Sequence, residues 1–184
     1  MANLRHRAGA CAGHPYVVAS TFWIDATMLY AVLKTLHVLS IIVWVGGMAF
    51  TLFFLRPAVA ALEPPIRLRL MLDVLRRFFG AVLAMAVVTL VTGAWMMGDY
   101  ASRAAATDTG VHIPWSWSLM AGLGLLMVAI FGHIRYVLFS RLRGAVASST
   151  WVAGGAAMAS IRVWVRVNLA IGLLIVVVVV FTAQ

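Results

Sequence analysis

Residues 36–57 read LHVLSIIVWVGGMAFTLFFLRP. The stretch is apolar over about the 20 residues that a helix needs to cross a bilayer, with one histidine inside and an Arg-Pro stop at its end. It predicts a transmembrane helix, and three further apolar stretches predict three more. Composition agrees. Of 184 residues, 64% are hydrophobic and 10% charged. With a mean hydropathy of +1.03, that balance belongs to an integral membrane protein. The expected fold is all-α, an up-down four-helix bundle in the membrane.

Spans are expected at about 28–55, 78–97, 117–139 and 163–183, giving one transmembrane domain over 28–184. Residues 1–27 read as an irregular N-terminal extension, because Gly9, Gly13 and Pro15 interrupt them. Arg5, His6 and Arg7 resemble a signal n-region, but no clean apolar core and cleavage site follow. Met28 opens the first span and reads as an alternative natural start. Between spans one and two, IRLRLMLDVLRRFF at 66–79 has apolar residues at helical spacing among arginines, the pattern of an amphipathic helix at the headgroups. Residues 99–114 read as a polar loop, with Trp115 and Trp117 at the interface after it. Residues 144–160 are rich in Ala, Ser and Gly, as in a flexible or loosely helical connector. The run VVVVV in span four is β-branched, yet a lone strand cannot sit in lipid, so it too must be helical.

The formal net charge is +9, and 13 of the 14 Lys and Arg residues are arginine. The arginines cluster between spans, so they read as topology signals and headgroup contacts with the lipid bilayer, with no nucleic-acid partner. Arg56, Arg67, Arg69, Arg76, Arg77, Arg141, Arg143, Arg162 and Arg166 all fall in or beside the first and third connections. The positive-inside rule then sets both connections in the cytoplasm and both termini outside, in a bacterial-type inner (plasma) membrane. Glu63 and Asp73 read as solvated partners of these arginines. Glycines along the spans allow close helix packing, within one chain, in a homodimer or against a partner membrane subunit.

Chemistry has few carriers here. Cys11 is the single cysteine, which rules out an internal disulfide and a cysteine metal cluster; a Cys-x-x-Cys-His haem attachment is also missing. Nucleophile–base pairs, phosphate-binding glycine loops and paired carboxylates within the spans are lacking, so soluble hydrolase or transferase chemistry has no support. Two histidines do lie inside spans, where an ionisable side chain is a functional candidate by default. His37 shares a helical face with Lys34, Ile41, Trp44 and Met48. At about 1.5 Å per residue it sits about 9 Å outside the midplane, and His133 sits about 7 Å inside it. The offset argues against one haem iron shared between them. A second constellation gathers near the outer ends of the spans: Met28, Met96, Met97 and Met120, with His112 and Asp99 in the neighbouring loop. Thioether and imidazole donors together suit Cu(I). Packing is the competing role for methionine, and a hydrogen-bonded neutral ring the competing role for each histidine.

The first span, LHVLSIIVWVGGMAFTLFFLRPAV, resembles the opening helix of copper resistance protein D (CopD) family domains. There a Leu-His begins the helix, Trp-x-Gly-Gly follows and Arg-Pro ends it. RRFF at 76–79 and VTLVTGAW at 88–95 resemble the family's second helix, and RVNLAIGLLIVVVV at 166–179 its last. The resemblance covers most of residues 29–181 and implies copper handling, with His37, Met96, Met97, Met120 and His112 as the metal-site candidates. The positions of His37 and His133 are also similar to the four-helix, haem-binding, protoporphyrinogen-oxidase-type membrane family. That similarity implies the alternative cofactor, haem b, with His37 and His133 as axial ligands in electron transfer or porphyrin oxidation. A lysine common early in the third helix of both families has no counterpart at 118–121, which counts against the oxidase activity. A ligand-free structural subunit is the third reading.

Overall fold

Proline and glycine punctuate the chain, and the computed structural model shows where they end a helix and where they do not. It describes residues 15–106 and 113–182, with side chains from residue 26 onward. Helix α1 covers Pro15–Phe50. Pro15 stands first in it, where a missing N–H costs nothing, and no Gly or Pro follows until Gly46. The helix therefore reaches back through residues 15–27, where the sequence predicts irregular structure. A π turn, Thr51–Leu55, joins α1 to the short α2, Arg56–Ala58. Helix α3 covers Pro64–Ala106, α4 Trp115–His133, α5 Phe139–Ala147 and α6 Trp151–Thr182. A second π turn, Ile134–Leu138, joins α4 to α5 without a break.

Among the described residues, four helical stretches are long and apolar enough to cross a membrane: Ala26–Ala58, Pro64–Ala106, Trp115–Ala147 and Trp151–Thr182. The fold is the expected all-α four-span bundle. Its helices overrun their expected ends. The amphipathic segment before span two and the first residues after it belong to one 43-residue helix. At about 1.5 Å per residue that is about twice the hydrocarbon thickness, so α3 projects beyond it. Its late extension has a local cause: Asp99 and Arg103, one turn apart, form an ion pair of 2.9 Å that supports another helical turn. The connector expected at 144–160 shrinks to a turn between α5 and α6. Ser149 takes a positive φ of 55° there, while the Ser148 and Thr150 hydroxyls bond the Gly144 and Ala145 carbonyls.

Helix α1 packs chiefly on α3, α4 and α5 pack on α6, and α6 also touches α1 and α3. Along α3 the buried residues Leu68, Met71, Leu75, Phe79, Val82 and Ala86 recur at spacings of three and four, one continuous inward stripe. An aromatic cluster fills the centre. Phe79 meets Phe131 and Phe139 edge-on at 5.9 and 5.3 Å, and Trp44 meets Phe131 at 6.0 Å. Small residues permit the close approaches. A Cβ at Gly47 would land on the Phe78 ring, and one at Gly172 would lie 3.0 Å from Val45 and 3.3 Å from Met127.

Candidate functional site

The inward face of α1 changes chemistry toward its N-terminal half. Below the aromatic cluster it is apolar; above, it carries His37. The imidazole Nδ1 lies 2.9 Å from the hydroxyl of Thr92 on α3. Thr92 has one hydroxyl proton, and its oxygen is 2.6 Å from the carbonyl of Val88. That short bond takes the proton. Thr92 Oγ1 therefore accepts, and His37 Nδ1 must carry a hydrogen and donate it. The neutral ring is then the Nδ1–H tautomer, with its lone pair on Nε2. Gly93 stands beside the ring; a Cβ there would lie 3.2 Å from His37 Cε1.

His37 lines a cavity of about 270 Å³ among α1, α3, α4 and α6, near the small end of ligand-pocket sizes, which run from about 300 Å³. Trp44 walls its inner side, where the aromatic cluster begins. Met97 of α3 and Met120 and Met127 of α4 also line it. Thr89, another lining residue, buries its Oγ1 without a hydrogen-bond partner among the described residues. The cavity is thus apolar apart from one imidazole and one unsatisfied hydroxyl, with three methionines in its wall.

Of the residues singled out from sequence, the fold brings His37, Met97 and Met120 to this one cavity. Met96, next along the helix, is half-buried outside it. His112 lies outside the described residues, as do His6, Cys11 and His14. His133 is not brought to His37. It is exposed on the bundle surface, against Trp164 with ring centroids 5.3 Å apart. Among the described residues no three His, Cys, Asp or Glu side chains gather as a metal site, so the donor set here is imidazole and thioether.

The profile of copper resistance protein D matches residues 72–182. The chain belongs to the CopD family. With its four spans, this CopD-family chain is a multi-pass membrane protein of the copper resistance class. The match takes in most of α3 and all of α4, α5 and α6, so Thr89, Thr92, Gly93, Met97, Met120 and Met127 fall within it, whereas α1 with His37 precedes it. No curated protein and no solved structure matches the chain.

Several site residues of this CopD-family protein escape a reading by periodicity. Thr89, Thr92 and Gly93 matter only through the register of α3 against α1, which no single-helix pattern encodes. Met127 is buried at the cavity edge. Arg135, which does not line this cavity, also escapes it. It lies in the second π turn with its guanidinium 5.5 Å from the Phe139 ring centre, and its sequence signal is a lone charge inside span three.

Proposed function

We propose that the protein handles copper as its cargo, taking Cu(I) into the cavity through His37 Nε2 and the sulfurs of Met97 and Met120. The observation that supports this most is the convergence of these three side chains, from three different helices, on one apolar cavity. Imidazole and thioether are donors that select Cu(I) over harder divalent ions. The Thr92 hydroxyl orients the ring in the tautomer a metal ligand needs, as outer partners of ligating histidines do. Apolar walls favour a singly charged ion on neutral ligands over a divalent one, whose desolvation costs more. The cavity lies at the end of the bundle opposite the arginine-rich connections, and the positive-inside rule supports reading this end as the outer one.

The test is an anaerobic Cu(I) competition titration of the purified protein, with X-ray absorption at the copper edge. The expected result is one Cu(I) per chain with mixed nitrogen and sulfur scattering, lost in His37→Ala. Binding that survives His37→Ala unchanged, or a Soret band that vanishes in that variant, overturns the proposal; the second outcome installs haem b in its place.

A further inference from the structure

A second cavity, of about 380 Å³, lies at the other end of the bundle. Arginines from three elements line it: Arg56 of α2, Arg67 at the start of α3 and Arg162 of α6. Most arginines at this end, such as Arg69, Arg76, Arg77, Arg141, Arg143 and Arg166, are exposed, which is all that a topology signal requires. Arg56, Arg67 and Arg162 are instead half-buried and drawn inward. Three guanidinium groups around one void repel each other and lose hydration, a cost that carboxylate partners ordinarily offset.

Such partners are missing. Among the described residues no carboxylate pairs with any of the three, and the ion pair Arg103–Asp99 lies at the opposite end. Glu63 is exposed and gives Arg67 its backbone carbonyl, not its carboxylate. Arg67 Nη1 reaches the Ala60 carbonyl at 3.4 Å, a weak bond, and Arg162 Nε is buried with no hydrogen-bond partner among the described residues. Each guanidinium has five N–H donors in a planar fork, so most of this donor capacity is unspent and converges on one space.

We propose that this cavity binds a phosphate group. The forks match phosphate oxygens two at a time, and three positive charges complement an anion of one or two charges. Basic pockets between transmembrane helices are the usual seats of anionic headgroups. Leu68, Met71 and Met158 make up apolar wall beside the arginines, and Ile66, Leu70 and Val163 are exposed nearby in sequence, where acyl chains would lie. A phospholipid headgroup and free phosphate share this recognition chemistry.

The full chain, purified in detergent, is titrated with phosphatidylglycerol and with phosphatidylcholine and read by native mass spectrometry; inorganic phosphate is titrated separately by calorimetry. Retention of phosphatidylglycerol over phosphatidylcholine is expected, reduced about fivefold in Arg67→Gln and in Arg162→Gln, at about 1 kcal/mol per arginine. Arg162→Lys, which keeps the charge but not the fork, should fall between, and Arg141→Gln should match the parent protein. Binding of inorganic phosphate without lipid preference, weakened by the same variants, assigns the site to free phosphate. If neither ligand binds, or if Arg141→Gln weakens binding as much as Arg67→Gln, the proposal fails.

Discussion

The His37 ring in α1 and the Thr92 hydroxyl in α3 stand 2.9 Å apart, and Val88 decides which of them donates. Because Thr92 gives its proton to that carbonyl, the ring must give its Nδ1 proton to Thr92. Replacing Thr92 by Val keeps the shape and removes the acceptor. Cu(I) affinity should drop about 10–100-fold, the usual cost of losing such a supporting partner. Thr92→Ser should hold most of it. Competition titrations on the two variants check this; a loss in Thr92→Ser with none in Thr92→Val would mean that the methyl, not the oxygen, matters.

Gly93 leaves His37 its place. An added methyl at 3.2 Å from Cε1 must push the ring aside. Gly93→Ala should weaken copper binding by shifting the ring, its overpacking cost of about 1–3 kcal/mol being partly offset by the about 1 kcal/mol of helix propensity gained. At Gly80, in the same helix, an added Cβ meets nothing within 4 Å. Gly80→Ala should be neutral or stabilising, by up to about 1 kcal/mol of helix propensity. Melting both variants in one detergent compares them directly.

Met97 and Met120 line the His37 cavity and Met96 does not. Leucine conserves methionine's volume, so each Met→Leu change should cost less than about 1.5 kcal/mol of stability. Copper affinity should separate them: Met97→Leu and Met120→Leu weaken it and reduce the sulfur scattering, while Met96→Leu leaves both as they were.

Asn168 is 1% exposed in α6. Its amide nitrogen reaches Met48 Sδ at 3.7 Å, and its Oδ1 has no partner among the described residues. An unsatisfied buried acceptor costs about 1–3 kcal/mol. Asn168→Leu should therefore raise the melting temperature in detergent. A fall would mean that Oδ1 is engaged in the folded protein.

How far the sequence discloses this molecule depends on how local each determinant is. Four spans and the membrane class follow from apolar length alone, and the grouping of His37, Met97 and Met120 at one end of the bundle follows from counting residues along helices. Helix ends are less legible. Gly98 marks a plausible end for span two, but the Asp99–Arg103 pair carries the helix past it. The orientation of His133 depends on how α4 is turned against α6, and its contact with Trp164 leaves it outward. The Thr92 hydrogen bond depends on the register of two helices and joins residues 55 apart in sequence, a relation that belongs to the pair and to neither sequence pattern separately.

The π turn at Thr51–Leu55 has its own consequence. The Arg56 N–H bonds Thr51 O, five residues back, while the Thr51 hydroxyl takes the Gly47 carbonyl at 2.8 Å. One surplus residue offsets everything beyond it by about 100° around the axis. The histidine end and the guanidinium end of this rod are thus clocked independently. Excising a single residue from the wide turn would hardly shorten the rod, yet it would swing Arg56 more than a quarter revolution relative to the imidazole, and only one of the two chambers could keep its lining.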